Sequence, residues 1–97
     1  MAKGYLVANI RVTDAERFQE FSGMAAPVIA SFGGRVLAKG PDADRHEGSL
    51  QGNVMMIEFD SKARAEEFYF SDAYQAAKAV RDECSETDLM IIEGLPE

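Results

Sequence analysis

The chain has 97 residues, 46% of them apolar, with 17 acidic against 10 basic residues and a net charge of −7. A chain of this length makes one domain, residues 1–97, whose apolar content suffices for a core without disulfide or metal. The acidity disfavours nucleic acid and anionic membrane surfaces, both of which are held through Lys and Arg, and the single Cys84 excludes an internal disulfide and a four-thiolate cluster.

Met1-Ala2-Lys3-Gly4 leads straight into a strand-like run without the apolar core of a signal peptide, so a cytoplasmic protein is expected. Residues 5–12, YLVANIRV, alternate with period two. Leu6, Ala8, Ile10 and Val12 form one face, and Tyr5, Val7, Asn9 and Arg11 the other. Thr13 with Glu16 reads as a capping box that opens a helix. Phe18, Phe21, Met24, Ala25, Val28, Ile29 and Phe32 then recur at helical spacing up to Gly33-Gly34, with Pro27 as a local conflict that predicts a kink or looser turn.

RVLAKG, residues 35–40, reads as a second strand, and PDADRHEGSLQGN as a loop or protruding arm. VMMIEFD, residues 54–60, is a third strand. A helix capped by Asp60 or Ser61 follows, is interrupted at Ser71-Asp72, and continues through AYQAAKAVRDEC with Asp72 as its cap. TDLMIIEG, residues 87–94, is the last strand. No run approaches the ~18 apolar residues of a spanning helix.

The order strand, helix, strand, strand, helix, strand predicts an α+β, ferredoxin-like βαββαβ fold. It has one four-stranded antiparallel sheet in the spatial order 4-1-3-2 and its helices on one face. The other face is then bare. It carries Tyr5, Val7, Asn9 and Arg11, Val54, Met56 and Glu58, with Arg35, Leu37 and Lys39 assigned to it from the second strand. Such a mixed apolar patch needs a cover, and a second copy pairing sheet to sheet is the simplest one.

KGYLVANIRVTD, GGRVLAKG, HEG, MIEFDS, FYFSDAYQ and TDLMIIEG, taken in this order, resemble the family catalogued as domain of unknown function 1330. The resemblance implies a dimeric α/β barrel, an architecture shared with cofactor-independent monooxygenases, small isomerases and stress-responsive proteins. The chain departs from the family pattern at Asn9, where a histidine is common, at Asn53, where an arginine is common, and at Phe68-Tyr69, where a Trp-Tyr pair is common. Asn9 cannot shuttle a proton near neutral pH.

The expected function is a homodimer with a small-molecule cleft between sheet and partner, conceivably a cofactor-independent enzyme of monooxygenase or isomerase type. The alternative is a non-catalytic interaction or stress-related dimer. Glu58, mid-strand in an apolar run, is the candidate general base, or else one half of a structural ion pair with Arg11, Arg35 or Lys39. His46, beside Glu47, is a candidate proton relay if the arm covers the cleft, or else a surface histidine. Asn9, Arg35, Tyr69 and Tyr74 are the candidate ligand-binding residues. Arg35 offers its fork to a carboxylate and the tyrosines offer a polar tip on an apolar ring. Phe68 belongs to the core. One histidine without HxH or HExxH spacing makes no metal site, and neither metal nor cofactor is expected.

Overall fold

Alternation along β1 (Gly4–Val12) buries Leu6, Ala8 and Ile10 and sets the plane of the molecule. The computed structural model describes residues 2–41 and 43–96; Met1, Glu97 and the Asp42 of the expected arm lie outside them. The remaining elements are α1 (Ala15–Ser31), β2 (Arg35–Gly40), β3 (Asn53–Phe59), α2 (Lys62–Phe70), α3 (Asp72–Cys84) and β4 (Ser85–Glu93). The strands form one antiparallel sheet in the order β2-β3-β1-β4, the predicted order read from the other edge. All helices lie on the face carrying Leu6, Ala8, Ile10, Ile57 and Phe59, which gives the ferredoxin-like α+β fold. No helix among the described residues is long and apolar enough to cross a membrane.

The starts of α1 and α3 differ from the sequence expectation in their capping residues, and that of α2 agrees with it. Thr13 does not cap α1, because its N–H and that of Asp14 donate to the Cys84 carbonyl at 2.7 and 3.3 Å and hold it outside the helix. Asp14 caps instead, accepting from the Arg17 N–H at 3.2 Å. Ser61 caps α2. Ser71, not Asp72, caps α3: its Oγ accepts from the Tyr74 N–H at 3.1 Å and donates back to the Phe68 carbonyl at 2.7 Å. One serine therefore ends α2 and starts α3. Helix α1 continues through Pro27 to Ser31, and Gly33, at φ +75°, turns the chain into β2.

The pairing of β2 with β3 skips a residue between Val36 and Ala38. This bulge at Leu37 reverses the faces of everything after it. Ala38 pairs with Met56 on the bare face and Lys39 with Met55 on the helix face. The assignment of Lys39 to the bare face is thereby corrected, since strict alternation cannot see an unpaired residue.

The run FYFSDAYQ supplies the middle of the core. Phe68 is fully buried, with its ring 5.1 Å from Phe59, 6.0 Å from Phe32 and 4.5 Å from Tyr74. Tyr74 in turn lies 6.4 Å from Phe21 in an edge contact. Tyr69 stacks at the margin, 5.6 Å from Tyr74, and Phe70 faces out at 71% exposure. Helices α2 and α3 come close to the strands, whereas α1 leans on α3 and stands off the sheet.

Candidate functional site

Register places the bare face in cross-strand rows. Arg35, Glu58, Tyr5 and Ile92 form one row, Ala38, Met56, Val7 and Met90 the next, and Gly40, Val54, Asn9 and Asp88 a third. Met90 and Ile92, on the edge strand β4, are 58% and 55% exposed, so this side of the face is apolar and uncovered within one chain.

The polar groups of the first row are fully engaged with one another. Arg35 Nε donates to Glu58 Oε1 at 2.9 Å, Tyr5 donates to Glu58 Oε2 at 3.1 Å, and a second Arg35 nitrogen reaches Asp60 at 3.2 Å. The Arg35 hydrogen bond, opposed by desolvation and aided by Tyr5, holds the Glu58 carboxyl below its ordinary range, and Arg35 is raised in return by Glu58. A carboxylate kept ionised by a cation is a weak general base at neutral pH.

At the other end of the face Asn9 ties down the arm. Its amide nitrogen donates to the Gln51 carbonyl and its Oδ1 accepts from Arg45 at 2.8 Å; the same Arg45 nitrogen donates to the Gly52 carbonyl at 2.8 Å. Gly52 is needed where the arm returns, because at φ +119° a Cβ would sit 2.5 Å from the Ile10 carbonyl oxygen. Arg11 completes this end with Asp88 at 3.0 Å and Glu86 at 3.6 Å. His46 projects from the arm with 84% of its side chain exposed, and its charged neighbour is Asp44 at 4.0 Å.

A second site lies on the opposite side of the sheet. Because α1 stands off the strands, a cavity of about 310 Å3 remains between them. Leu6, Ala8 and Ile10 of β1, Phe21, Ala25 and Ile29 of α1, and Met55 and Ile57 of β3 make its walls, and Tyr74 and Arg81 of α3 its polar end. Lys39 reaches it from β2. Arg81 is only 4% exposed. One of its terminal nitrogens donates to the Tyr74 hydroxyl at 2.7 Å, the other lies 3.4 Å from Asp82 Oδ1, and the guanidinium is 5.9 Å from the Phe21 ring centre. Its Nε is buried without a partner among the described residues. Burial pushes the Tyr74 hydroxyl up, against the influence of Arg81, so the phenol stays protonated.

A family model described as a domain of unknown function, DUF1330, matches residues 3–95. The chain belongs to the DUF1330 family. No curated protein matches it. Among solved structures, this DUF1330 chain is similar to a protein of unknown function from Rhodopseudomonas palustris, at 18% identity and a TM-score of 0.80 over 99% of this chain and 85% of that one. It is also similar to a dimeric ferredoxin-like protein of unknown function from Jannaschia sp. CCS1, at 12% identity and TM-score 0.70 over 97% and 99%. SnoaB, a cofactor-independent oxygenase from Streptomyces nogalater, has 9% identity and TM-score 0.69 over 100% and 97%. At these identities the likeness is one of fold.

The residues singled out in the sequence are therefore dispersed in the DUF1330 fold. Glu58 and Arg35 meet at one end of the bare face, Asn9 anchors the arm at the other, His46 is on the arm's surface, and Tyr74 lines the cavity with Tyr69 beside it. Arg81 was not singled out. The signal was present: Tyr74, Ala77, Arg81 and Cys84 share one helical stripe, so a cation occupies a position of the buried face. No group of His, Cys, Asp and Glu among the described residues is placed to hold a metal.

Proposed function

We propose that this DUF1330 protein is a homodimeric small-molecule-binding protein, with the bare sheet faces paired as a dimeric α/β barrel and a ligand chamber in each protomer between α1 and the sheet. The cavity beside Arg81 carries the reading. At about 310 Å3 it lies at the lower end of the ~300–1,000 Å3 of small-molecule sites, and its apolar walls with a few converging polar groups are the usual make-up of such sites. Pairing through the Met56, Val7 and Met90 row is supported by its exposure here and by the dimers described for similar folds.

The paired Glu58 favours binding over catalysis: an ionised carboxylate locked to Arg35 braces the sheet edge. Catalysis of the cofactor-independent kind would need Glu58 released from that pair, with Asn9, Arg35, Tyr69 and His46 brought to one substrate by the partner subunit. Native mass spectrometry tests the dimer: twice 10.6 kDa is expected, and a lone 10.6 kDa species at micromolar concentration overturns it. Calorimetric titration with octan-1-ol tests the chamber. Binding to the wild type that is lost in a folded Ala25→Leu protein, where the added side chain fills the cavity wall, is expected; identical heats in both overturn it.

A further inference from the structure

Arg81 poses a chemical question that the apolar walls around it do not. A buried guanidinium is costly unless it is paired and its donors are satisfied. Here the nearest carboxylate, Asp82, is half-exposed, lies 3.4 Å away, and is held more closely by Lys78 at 2.7 Å. The Tyr74 oxygen accepts one N–H, but a neutral phenol does not balance a charge. Among the described residues the Arg81 Nε–H has no partner, and the Tyr74 O–H is unused, its oxygen being engaged only as an acceptor. Both belong to residues that line the cavity. No Asp or Glu lines it, although the chain as a whole carries a net charge of −7. A second cation, Lys39, is turned toward the same space by the bulge at Leu37 and has no ion-pair partner among the described residues.

We propose that the chamber takes a small amphipathic carboxylic acid. The carboxylate accepts from the Arg81 guanidinium and the Tyr74 hydroxyl, and the apolar body lies among Leu6, Phe21, Met55 and Ile57. A charge-assisted bond to the guanidinium supplies the counter-charge that the half-exposed Asp82 does not. The volume has room for roughly ten water-sized groups. Octanoate is of that size. The proposal rests on the chamber being a ligand site, and the test separates the two.

Isothermal titration of octanoate, octan-1-ol and octylammonium into the intact protein holds the apolar body constant and varies the head. Octanoate is expected to bind about tenfold or more tightly than octan-1-ol, with octylammonium the weakest. Arg81→Met, checked for folding by its thermal melt, should erase the preference for octanoate over octan-1-ol; Arg81→Lys should keep part of it. Equal binding of octanoate and octan-1-ol to the wild type overturns the acid and leaves the chamber standing. Failure of all three to bind removes the chamber and the acid with it. Should Arg81→Met not fold, the wild-type comparison of acid, alcohol and amine decides alone.

Discussion

Arg35 and Glu58 stand directly opposite one another on β2 and β3, joined at 2.9 Å, on the face of the sheet away from Arg81 and its cavity. The chain thus carries two arginines in opposite circumstances. Arg35 is exposed and bonded to Glu58 and Asp60; Arg81 is buried, with one half-exposed acidic neighbour, Asp82 at 3.4 Å, and an Nε without a partner among the described residues. The first braces the sheet edge; the second lines an apolar cavity.

The Glu58 pair should appear in the acid stability of the protein. Its folded-state pKa lies below the unfolded value, so its contribution is present above about pH 4.3 and is lost as pH falls through the depressed folded value. Thermal melts of wild type and Glu58→Gln should differ at pH 6 to 7 and converge as the pH falls below about 4. Parallel curves throughout would show that the pair contributes nothing to folding.

Asn9→Ala should free the arm. The substitution removes the Asn9 bonds to the Gln51 carbonyl and Arg45, leaving Arg45 on the Gly52 carbonyl and Gln51 on a long Arg11 contact, at a cost of about 1–3 kcal/mol in urea unfolding. Trypsin cleavage after Arg45 should quicken in the folded protein, and an unchanged rate would mean that the Gly52 turn and Arg11 hold the arm unaided.

Phe68 and Phe70 sit two positions apart and should behave oppositely. Phe68 is fully buried among Phe32, Phe59 and Tyr74, so Phe68→Ala should cost about 3–5 kcal/mol. Phe70→Ala, at an exposed site, should stay within about 0.5 kcal/mol. Chemical denaturation of both variants gives the comparison.

Met90→Lys places a charge in the apolar row of the bare face, on the edge strand β4, without touching the helix-side core. Sedimentation equilibrium should find this variant a monomer that still melts cooperatively, and should find the wild type a dimer whose melting temperature rises with concentration. A dimeric Met90→Lys protein would place the subunit contact elsewhere.

Periodicity was sufficient for the element order, the helix-facing residues of β1 and β3 and the burial of Phe68, because these depend on which side of a strand or helix a residue occupies, and the handedness of the crossovers then gave the sheet topology. What escaped it depends on contacts between distant segments. The Cys84 carbonyl displaced the cap of α1 from Thr13 to Asp14. One unpaired residue in β2 moved Lys39 across the sheet. Above all, the lean of α1 toward α3 opened the cavity, and only that packing turned Arg81 from one more charge on an amphipathic helix into a buried cation lining an apolar space. Alternation specifies a side chain's face; the distance between two packed layers, which decides whether that face meets a wall or a void, is settled by the whole fold.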